Sequence, residues 1–342
     1  MRRINLTRRR RDRDARGMRL LPAWQVVALT VLTLALAATL TSRSLVHGAE
    51  TKPFGADRDR WLAAWRPFEA VAATTRLDRP RAWLGGLVDD EPQRSPAAAV
   101  AAATVAPDPT AAPEATPTRR PTVTPPTRER PLRLWAGGDS LAEIVSESIA
   151  RTAADTGVVD ARVDARIATG LTRPDYFDWP AEFARVLATF DPDVVIVTFG
   201  ANDSQGIMTA DGRVLQPQTD GWRAEYGRRV AALMDQVRRP GRMLIWIGLP
   251  PMRNSDFDAR MADIDAVVRW QAALRPDVVY IDARAVLGDG DGRYAAYLPD
   301  TRGDRELARE PDGIHVTRAG GDRLAAAVWY AIVANVDFSA AR

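Results

Sequence analysis

Two short runs do most to limit what this chain can fold into. Residues 193–200 (DVVIVTFG) and 242–249 (RMLIWIGL) are almost continuously apolar and rich in valine and isoleucine. A strand with one wet face alternates apolar and polar side chains, whereas a strand buried on both faces reads as an unbroken apolar run. Both runs therefore belong inside a sheet that is covered on each side. The rest of the chain from residue 132 supplies the cover. Further strands are expected at 132–136, 158–164 and 277–282, and helices at 141–154, 181–189, 222–237, 257–274 and 317–336. Strands alternating with helices imply a parallel sheet, and right-handed crossovers turn it into an α/β three-layer α/β/α sandwich. In such folds the chemistry gathers at the carboxyl ends of the strands.

The N-terminus is of another kind. Residues 1–19 hold nine arginines against Asp12 and Asp14, and residues 20–40 (LLPAWQVVALTVLTLALAATL) carry no charge. About 20 such residues in a helix span the hydrocarbon core of a bilayer. The arginine-rich flank stays in the cytoplasm. The expectation is a basic cytoplasmic tail over 1–19 and a single-pass anchor over 20–41 in the cell membrane, with the remaining chain outside. A cleaved signal peptide is the rival reading. Its best cleavage site, Ala35-Leu36-Ala37, lies inside the apolar run instead of after it. A buried core helix is opposed by the flanking arginines and the lack of a polar stripe. A nucleic-acid patch explains the arginines less simply than topology does, so no nucleic acid is expected.

Residues 42–91 read as a membrane-proximal helical segment. Trp61, Trp65, Phe68 and Val71 recur at helical spacing, and a second stretch covers 77–88. Residues 92–131 are dominated by proline, alanine and threonine. Such a composition cannot bury enough surface to offset its ordering entropy, so a disordered tether is expected. At ~3.1 Å per residue it reaches on the order of 100 Å. The domain that carries the chemistry is expected over 132–342.

The chain has no cysteine, which excludes disulfides, a thiol nucleophile and thiolate metal sites. Its two histidines, His47 and His315, are far apart in sequence, so a histidine-rich zinc site is not expected, nor is any other metal or organic cofactor. Three polar clusters fall at or beside strand ends. The first is Gly137-Gly138-Asp139-Ser140-Leu141. There the glycines suit a tight turn and Ser140 stands at the start of a helix, where unpaired N–H groups favour a developing oxyanion; a plain helix cap reads the same way. The second is Gly200-Ala201-Asn202-Asp203, in which Asn202 is either turn chemistry or an oxyanion donor. The third is Asp312-Gly313-Ile314-His315. An aspartate three residues before a histidine can accept a bond from one ring nitrogen and leave the other free as a base.

Taken in order, these clusters resemble the blocks of the SGNH/GDSL hydrolases over about 200 residues from Leu132 onward. Gly138-Asp139-Ser140-Leu141 matches the block that carries the nucleophile, with Ala142 where a second serine is usual. Gly170, in Thr169-Gly170-Leu171, matches the glycine whose N–H faces the oxyanion. Gly200 to Asp203 matches the Gly-x-Asn-Asp block, and Asp312 with His315 matches Asp-x-x-His. The resemblance implies a flavodoxin-like SGNH hydrolase fold and a Ser140–His315–Asp312 triad. It also implies an oxyanion hole made by the N–H groups of Ser140 and Gly170 and the Asn202 amide. It implies an esterase, or an O-acyltransferase if a sugar hydroxyl replaces water. With the expected address, acylated envelope polysaccharide becomes the expected substrate. A lipase or thioesterase and a catalytically silent binding module remain as alternatives. Asp139, Asp203, Arg253, Asn254 and Arg309 are further candidates for substrate contact, set against ordinary capping and solvated-charge roles. Tyr176, Phe177 and Trp179 either stack on a sugar ring or belong to the core.

Overall fold

A computed structural model describes residues 22–50, 52, 55–75 and 123–339. The arginine tail, the helical stretch at 77–88 and linker residues 92–122 lie outside the described residues. The chain divides into two compact units, Met1–Gln93 and Arg94–Arg342.

In the first unit α1 (Ala23–Leu40) is long and apolar enough to cross a membrane, with a mean hydropathy of 1.9. Its threonines do not leave hydroxyls unpaired. Thr30, Thr33 and Thr39 each donate to the carbonyl four residues earlier, the usual back-bond of a helical threonine. This one apolar helix is compatible with a membrane anchor or a signal sequence. After it, α2 (Ser42–Glu50) and α3 (Ala56–Thr75) pack through Val46, Ala49, Leu62 and Trp65. The helical spacing of Trp61, Trp65, Phe68 and Val71 puts them along one stripe of α3. Trp61 does stack on Trp65 at 5.7 Å, but Trp61 and Val71 are exposed and Leu62 and Ala72 are the residues α3 buries. The i, i+3, i+4 pattern marks a stripe but not which neighbour covers it.

The second unit is built on a five-stranded sheet. Its strands are β1 (Leu132–Gly138), β2 (Val159–Ala165), β3 (Val194–Thr198), β6 (Met243–Ile247) and β7 (Val278–Ile281). They lie in the order β2-β1-β3-β6-β7, and every pairing is parallel. β3 and β6 are buried at every position, as their composition requires. Alternate residues of the central strands enter two separate cores. Trp135, Val195, Val197, Leu244 and Trp246 face α5 (Trp179–Thr189), α6 (Asp220–Val237) and α7 (Ser255–Ala273). Leu134, Ala136, Ile196, Met243 and Ile245 face α4 (Ala142–Ala154), α8 (Ala283–Leu287) and α9 (Arg318–Asn335). The result is the three-layer α/β/α sandwich.

Three features depart from the sequence reading. Two antiparallel hairpins, β4–β5 (Ile207–Met208 with Val214–Leu215) and β8–β9 (Tyr297–Pro299 with Arg305–Leu307), are too short to show a periodicity. Order also begins before residue 132. Val123 is buried in the core that holds Leu132 and Val194, and Arg130 pairs with Asp193 at 3.3 Å. Finally, β1 runs on into Gly137 and Gly138, so the glycines lie in the strand and not in a turn.

Candidate functional site

The two glycines at the end of β1 let it squeeze between its neighbours. A Cβ on Gly137 would lie 2.1 Å from the Asp164 carbonyl oxygen, and one on Gly138 2.0 Å from that of Thr198, where φ is also +144°. The chain then turns through Asp139, Ser140 and Leu141 before α4 starts at Ala142. Asp139 is wholly buried and points inward, so it cannot touch substrate. Its Oδ1 accepts from Leu141 N (2.9 Å), and its Oδ2 from Gly200 N (2.9 Å) and Ala201 N (3.2 Å). One carboxyl thereby frames the Ser140 turn and ties it to the loop after β3. Burial pushes this group up to about 7 even though three backbone N–H groups favour the charge; nearby Asp203 adds to the rise.

The loop after β3 is pinned a second time. Asp203 is also wholly buried and accepts from Thr172 N, Thr172 Oγ1 and Tyr226 Oη, each at 2.9 Å. Burial raises its carboxyl, and bonds from Thr172, Leu171 and Tyr226 oppose the rise. It too is framework and not a substrate contact. Gly170 is glycine because of it: a Cβ there would stand 2.2 Å from Asp203 Oδ1. Between these clamps Asn202 Nδ2 donates to the Thr169 carbonyl at 2.9 Å. That bond uses one amide hydrogen, orients the side chain and leaves the second hydrogen available. The backbone N–H groups of Ser140 and Gly170 meet no acceptor among the described residues.

His315 comes from a tight loop just before α9. Its Nε2 lies 2.9 Å from Ser140 Oγ, and its Nδ1 lies 2.6 Å from Asp312 Oδ2. Asp312 Oδ1 accepts from Ile314 N (2.7 Å) and His315 N (3.0 Å). Partial burial pulls Asp312 up, but the ring bond and the two backbone N–H bonds outweigh it and hold the carboxyl at about 2. It is therefore charged at every pH of interest. Ser140, Leu141, Glu143 and Ile144 line a cavity of about 390 Å³ from one side, and Glu310, Pro311, Asp312, His315 and Val316 line it from the other. Among the described residues no group of three or more histidines and carboxylates is arranged to hold a metal.

Other candidates fall to structural roles. Asn254 caps α7, its Oδ1 accepting from Phe257 N at 2.8 Å. Arg309 is wholly buried and cannot meet an external anion. Arg253 packs against Gly313, donates to the Pro311 carbonyl (2.7 Å) and to Tyr294 Oη (2.9 Å), and so buttresses the histidine loop from the surface. Trp179 is fully buried against Phe199 and Phe183, with Phe177 edge-on at 4.9 Å, so it is core and no sugar platform; Tyr176 is half-buried. Thr169 was not foreseen. Its carbonyl aims Asn202 and its hydroxyl accepts from Trp179 Nε1 (3.1 Å), so it couples the aromatic core to the site. Nothing local in the sequence marks it.

Residues 133–331 match a family described as "Protein of unknown function (DUF459)". No curated protein matches the chain. Solved structures that resemble it include an alpha/beta hydrolase from the metagenome of Lake Arreo, with 17% identity over 58% of this chain and 94% of that one, and a TM-score of 0.42. A GDSL-like lipase from Bacteroides thetaiotaomicron has 14% identity over 61% and 91%, with a TM-score of 0.41. A catalytic mutant of an acetylxylan esterase from Geobacillus stearothermophilus has 16% identity over 62% and 96%, with a TM-score of 0.43.

Proposed function

The chain belongs to the DUF459 family, and we propose that it is a serine ester hydrolase of the SGNH/GDSL kind, acting on acyl esters of cell-envelope carbohydrate. The observation that carries the reading is the continuous relay from Asp312 Oδ2 through the His315 ring to Ser140 Oγ, at 2.6 and 2.9 Å. A serine hydroxyl is a weak nucleophile until a base takes its proton in the act of attack. In the proposed reaction His315 Nε2 removes the Ser140 proton as Oγ bonds to the ester carbonyl carbon. Asp312 stabilises the imidazolium and fixes its tautomer. The oxyanion is met by the N–H groups of Ser140 and Gly170 and the free hydrogen of the Asn202 amide. His315 then returns the proton to the leaving alcohol as the acyl–Oγ bond remains. Water, activated by the same ring, releases the acid; a sugar hydroxyl in its place completes an acyl transfer.

Two further observations support the finer parts of the reading. The apolar helix α1 behind an arginine-rich tail favours a membrane anchor with this domain outside. Glu143 and Glu310 line the cavity beside Ser140, and neither side chain has an ion pair or hydrogen bond among the described residues. Free carboxylates accept bonds from a polyol and repel a hydrocarbon tail, which favours a sugar over a lipid. The test is labelling of the full chain in detergent with a serine-directed phosphonate, together with turnover of p-nitrophenyl esters of increasing chain length. An adduct on Ser140, lost in Ser140→Ala, and preference for acetate are expected. Preference for long chains would redirect the reading to a lipase. Absence of labelling and turnover alike would leave only a binding module.

A further inference from the structure

A fully buried cation that the proposed reaction does not use bonds the backbone of the loop that carries its base. Arg309 is fully buried, and no carboxylate among the described residues pairs with it. Burial pulls its guanidinium down to about 10, against the attraction of Tyr294, Asp312 and Asp258. A buried charge without a counter-ion is costly to retain, so what it bonds is informative. Nη1 donates to the Pro251 carbonyl (2.5 Å), Nη2 to the Ile314 carbonyl (2.7 Å), and Nε makes a longer contact to the His315 carbonyl (3.4 Å). The Tyr294 ring covers the group, with its centroid 5.1 Å away.

These acceptors share a pattern. Residues 309–316 form a loop closed by the bridge between Arg309 and Val316 and by the bond from Glu310 N to the His315 carbonyl (2.9 Å). The guanidinium fills the inside of that loop and reaches across to the segment that follows β6. Asp312 orients the imidazole ring, but it belongs to the same loop and cannot locate that loop relative to Ser140. A link to the segment after β6 does so, and Arg309 makes it from inside the loop while Arg253 makes it from the surface, its N–H donating to the Gly313 carbonyl (3.1 Å) and its Nη1 to the Pro311 carbonyl. The planar fork of arginine matches such a set of carbonyls, and an ammonium does not.

We propose that Arg309 is a positioning residue, which fastens the backbone of Ile314 and His315 to the Pro251 carbonyl and so keeps the imidazole within bonding reach of Ser140. The inference rests on the esterase reading for its kinetic test, but one of its readouts does not. The full chain in detergent is compared as wild type, Arg309→Met and Arg309→Lys. A misplacement of about 1 Å costs on the order of 100-fold in rate. Arg309→Met should accordingly lose about 10- to 100-fold in kcat with KM within about twofold of wild type, and Arg309→Lys should recover part of the loss. The downfield proton resonance of the His315–Asp312 bond, assigned by its disappearance in His315→Gln, should shift or broaden in Arg309→Met. If Arg309→Met does not fold, Arg309→Lys and Tyr294→Leu take its place with the same expected split. An unchanged kcat and resonance in a folded variant would overturn the proposal, as would a raised KM at constant kcat. A wild type inert towards every ester would end the esterase reading, and the resonance alone would then decide on Arg309.

Discussion

Replacing Asp139 by asparagine should make the protein more stable at pH 8 and less active, two effects that the structure sets against each other. The carboxyl accepts three backbone N–H bonds in full burial. An amide has only one accepting atom. If that oxygen serves Gly200 and Ala201, the Leu141 N–H faces another donor. An orphaned buried donor costs about 1–3 kcal/mol, and this sets the penalty where wild-type Asp139 is still protonated. The opposing effect is titration. The folded-state value of about 7 exceeds the unfolded 3.8, so the folded protein holds the proton more tightly. The stability it contributes is complete below pH 3.8 and is lost as the pH rises through 7. At 1.36 kcal/mol per unit the loss is roughly 4 kcal/mol. Asparagine does not titrate.

Wild type should therefore be the more stable protein near pH 4, the variant near pH 8, and the two stability curves should cross between about pH 4.5 and 6. Asp203 titrates in both proteins, so its contribution largely cancels in the difference. Thermal unfolding of both full-length proteins in detergent, followed by circular dichroism at pH 4.5, 5.5, 6.5 and 8, reads the crossing. Turnover at pH 8 should fall about tenfold or more, because the Leu141 bond frames the Ser140 turn and a small displacement of the nucleophile is expensive. A stability gap that stays constant across this range would refute the reasoning. It would mean that Asp139 is ionised throughout and that its backbone donors fully offset its burial.

Four other outcomes follow from the same geometry. Asn202→Ala should lower kcat by about 100-fold or more with little change in KM, measured on p-nitrophenyl acetate, because in the proposed reaction the amide acts on the oxyanion and not on the ground state. Asp312→Asn should lower kcat throughout pH 5 to 9, measured on p-nitrophenyl acetate, because the imidazolium formed in the proposed reaction loses its counter-charge. Wild-type Asp312, held at about 2, is charged throughout that range, and what it contributes to stability is present above pH 3.8 and lost only as the pH falls through 2. Gly138→Ala should destabilise the fold by roughly 3 kcal/mol or more, read from thermal unfolding, since its Cβ would meet the Thr198 carbonyl at 2.0 Å in a backbone conformation alanine avoids. Glu143→Gln and Glu310→Gln should change KM for acetylated oligosaccharides while leaving p-nitrophenyl acetate turnover nearly untouched.

What the sequence discloses about this chain follows the range of the interactions involved. The buried strands were readable because burial on both faces writes itself into five or more consecutive residues. The approach of Ser140 to His315 was implied only by the resemblance of the motif blocks; the turn after β1, second in the sheet, carries one side chain and the loop before α9 the other, 2.9 Å apart. Their chemistry is what the labelling experiment tests. Asp139, Asp203 and Arg309, all wholly buried, were misread as candidates for substrate contact because charge beside a motif looks like function. Whether such a side chain turns outward depends on partners 60 or so positions away, as with the bond from Gly200 N to Asp139. Thr169 and the short hairpins were missed for a related reason: one carbonyl and strands of two or three residues leave no periodic trace.

The misread charges share a consequence. Asp139 joins the Ser140 turn to the loop after β3, Asp203 joins that loop to Thr172 beside Gly170, and Arg309 joins the histidine loop to the segment after β6. Each segment bearing a proposed reacting group is thus tied to another segment by a buried ionisable group, not merely by apolar contact. Apolar packing tolerates sliding, whereas bonds in a low-dielectric interior have fixed length and direction and are costly to break. That arrangement lets the site keep two features that would otherwise be unfavourable. The N–H groups of Ser140 and Gly170 meet no acceptor among the described residues, and Ala168, two residues before Gly170, adopts a left-handed φ of 60°. Strain and unpaired donors persist only where the surroundings over-determine them. On this argument the buried ionisable groups are the reason the proposed oxyanion donors can wait unpaired, and weakening any one of the three ties should lower the proposed catalysis even where it raises stability.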